Sequence, residues 1–156
     1  MNRTVRAFTA ALMRSPARFV LRPVITPLDR AIFRISGGRW KLSAPMIPSL
    51  VLYTTGAKSG LRREVPLMCF PRDDGTWFIA GSNFGMENHP AWSTNLLVNP
   101  DAEVHYRREL LPVRAELLEP TEREAVWPEL EEQWPNYRDY EKTALRDIRV
   151  FRLVRR

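Results

Sequence analysis

Apolar residues recur along this chain with two different periods. Over residues 2–22 the period is helical. Val5, Phe8, Leu12 and Phe19 fall at i, i+3, i+7 and i+14, while Arg14, Arg18 and Arg22 stand four apart on another face. This predicts a basic amphipathic helix, interrupted or ended by Pro16 and Pro23. A second helix is signalled by Thr26 as N-cap, Pro27 in the first helical position, and Leu28, Ile32 and Ile35 on one stripe; Gly37-Gly38 stops it.

From residue 50 onward the punctuation is that of short strands. Leu50 to Thr55 is apolar and β-branched, and Gly56-Ala57-Lys58-Ser59-Gly60 is a turn. Arg63 to Phe70 is a second strand, which Pro66 assigns to an edge or a bulge. Asp73-Asp74-Gly75 turns into a third strand, Thr76 to Ser82. Asn83 to His89 is a loop, and Pro90 opens a helix that Asn99-Pro100 closes. Ala102 to Tyr106 and Leu111 to Leu118 form a hairpin around Arg107-Arg108-Glu109. Thr121 caps a helix with Trp127, Leu130 and Trp134 on its dry side and five glutamates on its wet side; Pro135 ends it. Tyr137 to Arg146 is a short helix and Ile148 to Val154 a last strand. Six strands with helical insertions predict a mainly β, α+β body, a small and partly closed barrel over residues 42–156, preceded by a helical arm over residues 1–41.

At 156 residues the chain buries roughly 70% of its unfolded surface, enough for a core without cross-links. Cys69 is the only cysteine, which excludes a disulfide framework, and with His89 and His105 as the only histidines a zinc site is not expected. No apolar run approaches the ~20 residues needed to cross a bilayer, and arginines continue past the weakly apolar stretch Ala7–Met13, which argues against secretion and for a cytoplasmic protein. The net charge of +6 is uneven. Residues 1–41 carry nine basic side chains against Asp29 alone, leaving 15 basic against 17 acidic on the remainder. A basic arm on a near-neutral body points to an anionic surface met by the arm, such as the inner face of a membrane, rather than to nucleic acid. The plainer alternative is that both helices pack on the body.

Recognised catalytic patterns are absent. Gly56-Ala57-Lys58-Ser59-Gly60 lacks the spacing of a phosphate loop, and there is no G-x-G-x-x-G, nucleophile elbow or H-E-x-x-H. If the protein is an enzyme, a bound cofactor does the hard step. Two segments carry the chemistry. The first runs from Thr54 to Leu67: the glycine turn is expected to gather backbone N–H groups into an anion nest, with Lys58 as a point charge and Arg62 or Arg63 as a fork for phosphate or carboxylate. A solvated basic hairpin is the bland alternative. In the second, Gly81 and Gly85 permit close approach of backbone to a flat ligand, and Trp92 stands on the first turn of a helix whose N-terminus attracts negative charge.

Together these segments resemble the deazaflavin-dependent nitroreductase family of actinobacteria. The resemblance rests on Thr55-Gly56-Ala57-Lys58-Ser59-Gly60 with Arg63 and Pro66-Leu67, on Ala80-Gly81-Ser82 followed by Asn88-His89-Pro90-Ala91-Trp92 and Asn95, on Asn99-Pro100, and on Trp134-Pro135-Asn136-Tyr137 with Tyr140. It implies a split β-barrel like that of flavin-mononucleotide (FMN) reductases, coenzyme F420 (8-hydroxy-5-deazaflavin) as cofactor, and hydride transfer to quinone-like or nitro-type acceptors. It also implies coenzyme contacts at Ala57, Lys58 and Ser59; at Arg63, Glu64, Val65, Pro66, Leu67 and Met68; at Ala80, Gly81, Ser82 and Asn83 beside the ring; and at Ala91, Trp92, Ser93, Thr94 and Asn95. Tyr137, Tyr140 or Ser82 would hydrogen-bond the acceptor oxygen. Glu64 departs from the family by setting a negative charge beside the coenzyme's anionic tail. Alternatives are an FMN-dependent reductase of the same fold, a coenzyme- or lipid-binding protein without turnover, and a basic interaction module. Oligomeric state is not expressed in the pattern.

Overall fold

Seven strands and three helices follow one another through residues 48–156, the part of the chain that the computed structural model describes. The two helices expected in the arm, and the boundary at residue 41, lie outside the described residues. The strands are β1 (Ser49–Thr55), β2 (Arg62–Met68), β3 (Phe70–Pro71), β4 (Trp77–Ala80), β5 (Asp101–Tyr106), β6 (Glu109–Leu117) and β7 (Val150–Arg155). The helices are α1 (Ala91–Val98), α2 (Pro120–Gln133) and α3 (Tyr137–Ala144), with a short 3-10 turn at Asn83–Gly85. All pairings are antiparallel, in the order β2-β1-β5-β6-β7-β4-β3. The sheet curls into a half-barrel. β2 is an edge strand, as Pro66 requires, and Pro66 sits opposite Val51 in the register.

Strand alternation divides the apolar residues between two cores. Leu50 and Leu52 of β1, Trp77 and Ile79 of β4, Val104 of β5, Val113 and Ala115 of β6, and Phe151 and Leu153 of β7 share one core with Trp92 and Leu96 of α1. Phe78 of β4 and Val150 of β7 point the other way, into a second core roofed by Trp127 and Leu130 of α2 and by Tyr137 and Tyr140 of α3. Each fully buried aliphatic side chain contributes roughly 1.5–3 kcal/mol, so a one-residue slip in β4 or β7 would exchange the two sets and is strongly disfavoured. Cys69, between β2 and β3, is buried in the first core, while its neighbours Met68 and Phe70 pack on the second.

Several boundaries differ from expectation. The expected second strand breaks after Met68, and Phe70–Pro71 pairs with β4 as a separate strand. The β5–β6 hairpin turns on two residues, Arg107 and Arg108, both left-handed (φ 47° and 77°), so Glu109 belongs to β6. The N-cap of α2 is Glu119, not Thr121, because Pro120 takes the first helical position; the Glu119 N–H donates to Glu122 Oε2 at 3.4 Å. Pro128 lies inside α2 without ending it.

Candidate functional site

β1 ends at Thr55 and β2 begins at Arg62, and the chain between them is closed by its own backbone. The Gly56 N–H donates to Leu61 O and the Gly60 N–H to Gly56 O, both at 2.8 Å. Gly60 is left-handed (φ 67°). At Gly56 a Cβ would lie 2.6 Å from Ser59 Oγ and 3.2 Å from Leu61 O, so a side chain there would displace the serine hydroxyl and crowd the Leu61 carbonyl.

One side chain from α1 fixes this turn. Asn95, 8% exposed, accepts the Ala57 N–H at 2.9 Å through Oδ1 and donates through Nδ2 to Thr54 Oγ1 at 3.0 Å. With the Leu61 N–H directed to Ser59 Oγ at 3.3 Å, four amides of the turn are satisfied within the protein. The expected anion nest is thereby narrowed to the Lys58 and Ser59 amides at the tip of the turn, and side chains add to its capacity for an anion. Lys58 is exposed, and Arg63 lies beside Ser59, Nη2 to Oγ 3.5 Å. Arg62 is committed elsewhere: it pairs with Glu103 at 2.7 Å and lies 4.3 Å from the centroid of the Tyr53 ring. Burial raises the Tyr53 phenol, with Glu64 adding and Arg62 opposing.

The turn, the start of β2 and α1 enclose a groove of about 670 Å³, of a size that takes a cofactor or drug-sized ligand. Of the residues assigned to coenzyme from sequence, Ala57, Lys58, Ser59, Arg63, Glu64 and Val65 form one wall. Ala91, Trp92, Thr94 and Asn95 form the other. Thr54 and Gly56 line it too; both belong to the segment that the sequence marks for chemistry, but not to the coenzyme contacts that the resemblance implies. Trp92 is 7% exposed and packs on Phe151, ring centroids 5.8 Å apart, so its ring is mostly part of the core beneath the groove.

Other expected residues lie apart from the groove lining. Pro66, Leu67 and Met68 continue along β2; Leu67 packs on the first core and Met68 on the second. Ser93 is not among the residues that line the groove. It is 0% exposed, its Oγ donates to Pro90 O at 2.9 Å, and Arg149 Nη1 donates to that Oγ at 3.3 Å. Ala80, Gly81, Ser82 and Asn83 carry the chain from β4 to the N-terminus of α1. The Gly81 N–H donates to Arg149 O at 2.8 Å, and a Cβ on Gly81 would meet Pro90 Cγ at 3.4 Å. This segment therefore abuts the residue that caps the groove's helix.

The two tyrosines separate. Tyr137 is 1% exposed, among Phe70, Trp127 and Tyr140, and burial pushes its phenol far above the ordinary range, with Tyr140 and Cys69 adding. It packs in the second core. Tyr140 is 3% exposed, yet its hydroxyl is buried without a hydrogen-bond partner. Arg123 holds this helical layer together: it pairs with Glu141, donates to Ile148 O at 2.9 Å and lies 4.2 Å from the Trp127 ring centroid.

A feature that sequence reasoning missed is Arg146, just beyond α3. It reaches back to the Gly81–His89 segment, and its Nη1 lies 3.1 Å from His89 Nδ1. Arginine has no acceptor, so His89 Nδ1 carries the lone pair. Burial lowers the His89 pKa, with Arg146 and Arg149 adding, and this favours the neutral ring that the contact requires. Among the described residues there is no cluster of metal ligands, and no helix is long and apolar enough to cross a membrane.

Residues 28–154 match the F420H(2)-dependent quinone reductase family. An F420H(2)-dependent quinone reductase of Mycobacterium tuberculosis strain H37Rv is 34% identical over 133 residues, which is 83% of this chain and 89% of that protein. Among solved structures, an F420-H2-dependent reductase (FDR-A) is 37% identical and superposes with a TM-score of 0.61 over 68% of this chain and 93% of its own. A structure described as a domain-swapped dimer is 33% identical, with a TM-score of 0.64 over 89% of this chain and 99% of its own. The half-barrel is thus that of the split-barrel reductases, and the chain belongs to the F420H(2)-dependent quinone reductase family.

Proposed function

We propose that this chain reduces quinones with hydride from reduced coenzyme F420, and that the groove between the Gly56–Leu61 turn and α1 holds the coenzyme. One observation carries the assignment to the groove: Lys58 and Arg63 from one side and the N-terminal turn of α1 from the other meet on a single cavity, although the body outside the arm is slightly acidic. The donors fit the group. The coenzyme has a phosphodiester and a carboxylate-rich tail, and an ammonium, a guanidinium fork and a helix N-terminus all favour negative charge. When bound, coenzyme F420 supplies a hydride donor.

The chain's own residues then bind, orient and shelter. Lys58 and Arg63 anchor the anionic portion, with Glu64 weakening the field around the tail. Asn95 keeps the anchor at a fixed place relative to α1. Gly81, Ser82 and Asn83, beyond Pro90, are assigned to the ring side, where backbone with little or no side chain permits close approach. Tyr140 is assigned to the acceptor oxygen. Its buried, unpartnered hydroxyl is disfavoured by about 1–3 kcal/mol, and a transient partner would relieve this. Fixing donor and acceptor this way supplies catalysis by orientation and water exclusion.

The reading extends to nitro-type acceptors, and to an anionic membrane surface on the cytoplasmic side met by residues 1–41. The nine basic residues of the arm support that surface, and quinones partition into bilayers. Sedimentation with anionic vesicles at low salt tests it; a protein that stays in the supernatant refutes it. For the central reading, the purified chain is mixed separately with F420 and FMN, and turnover on menadione is followed. F420 with menadione reduction is expected; binding of FMN alone refutes the assignment.

A further inference from the structure

Between β4 and α1 the chain passes through three consecutive left-handed residues, Asn83 (φ 47°), Phe84 (φ 56°) and Gly85 (φ 76°). Asparagine visits left-handed backbone readily, but for Phe84 it is disfavoured, so the conformation there persists only where the surroundings hold it. Arg146 imposes it. Its Nε donates to Met86 O at 3.2 Å, and its Nη2 lies 3.3 Å from Gly81 O, 3.2 Å from Ser82 O and 3.2 Å from Asn88 O. Its Nη1 meets His89 Nδ1 at 3.1 Å and Asp147 O at 3.3 Å. Both ends of the segment therefore close on one planar fork. Lysine has neither the planarity nor the five donors to reproduce it.

The approach of Arg146 is itself enforced. Leu145, left-handed at φ 52° and 84% exposed, ends α3 and turns the chain back toward the segment. Such a residue gains little from packing, so its conformation serves the path of the chain. Gly85 completes the seat. A Cβ there would lie 2.4 Å from Thr143 Oγ1 and 3.2 Å from Tyr140 Cδ1, so only glycine lets the segment lie flat on α3.

We infer that Arg146 is a positioning residue for the reaction: it sets where Gly81, Ser82 and Asn83 meet the coenzyme ring, without itself gripping the coenzyme's anionic end. The inference rests on the ring-side reading of that segment. Loosening the fork lets the segment leave its left-handed path, and a displacement on the order of 1 Å at a reacting pair lowers rate by about a hundredfold. The anchor at Lys58 and Arg63 belongs to the turn between β1 and β2, so affinity is largely retained.

The test compares Arg146→Gln, Arg146→Lys and Arg123→Gln. Arg123→Gln disrupts a comparably engaged arginine that does not touch the segment. Amide hydrogen exchange is measured on the coenzyme-free chain, coenzyme Kd by titration, and kcat on menadione. Arg146→Gln is expected to raise exchange in residues 82–89 at least tenfold and lower kcat at least tenfold, with Kd changed less than threefold. Arg146→Lys follows in the same direction to a smaller degree and carries the test should the glutamine variant not fold. Arg123→Gln is expected to lower the melting temperature while leaving segment exchange and kcat within twofold. Unchanged exchange, raised exchange with kcat within twofold, a loss confined to Kd, or the same kcat loss in Arg123→Gln overturns the inference. A Lys58→Ala chain that binds F420 as the parent does refutes the groove reading itself, and the inference with it.

Discussion

Replacing Asn95 with alanine removes both bonds that tie the cationic turn to α1, the 2.9 Å bond from the Ala57 N–H and the 3.0 Å bond to Thr54 Oγ1. Each is worth about 1 kcal/mol net, and a buried group left without its partner adds about 1–3 kcal/mol. Thr54 is 3% exposed, so little water reaches its hydroxyl. The expected total is about 3 kcal/mol, which at ~2–4 °C per kcal/mol for a chain of this size lowers Tm by roughly 6–12 °C. Thr54→Val breaks only one bond and should lose about half as much, and the double variant should lose less than the two together, with a coupling of about 1 kcal/mol. Because the turn carries Lys58, coenzyme Kd should rise at least tenfold in Asn95→Ala. Urea unfolding followed by tryptophan fluorescence, together with F420 titration, measures both. If Asn95→Ala unfolds within about 0.5 kcal/mol of the parent, or binds F420 as tightly, the bridge does not hold the site.

Tyr140→Phe separates stability from turnover. Removing a buried hydroxyl without a partner should raise stability by about 1 kcal/mol, while menadione turnover falls; unchanged turnover eliminates the acceptor role. His89, whose pKa is lowered chiefly by burial, should make the protein less stable in mild acid. Its unfolded ring binds the proton more readily than its folded one, so the contribution is present above pH ~6.5 and lost as pH falls below that. The lowered carboxylates Asp74, Glu122 and Glu131 act only below pH ~4.5, so denaturation curves at pH 7 and about 5 should show a smaller acid loss in His89→Gln than in the parent. An equal loss excludes His89 as the source.

Strand alternation made much of the fold legible, since period two across β1, β4 and β7 sorts residues such as Trp77 and Phe78 onto opposite faces. The groove was legible for a related reason: a glycine turn and the start of an edge strand, which share one wall, and a proline-opened helix, which forms the other, are local signals. What escaped depends on contacts distant in sequence. Nothing near Arg146 announces that its fork closes a segment some sixty residues earlier. Ser93 and Tyr137 have the polarity of ligands, and only the packing shows them turned inward. The Arg107-Arg108 turn lacks the Asn-Gly signature that such left-handed hairpins usually carry, so the pattern alone does not separate Glu109 from the turn. Pro120 did mark the start of α2, but Thr121 is the more usual capping residue and drew the expected cap past it.

The most direct test of the groove assignment is an F420 titration of the parent, Lys58→Ala and Arg63→Ala chains at about 50 and 300 mM salt. Removing either cation should weaken binding about tenfold, or ~1.4 kcal/mol, and the gap from the parent should narrow at the higher salt as screening replaces the lost contrast. Variants that bind F420 as tightly as the parent at both salt concentrations would contradict the account, and would place the coenzyme outside this groove.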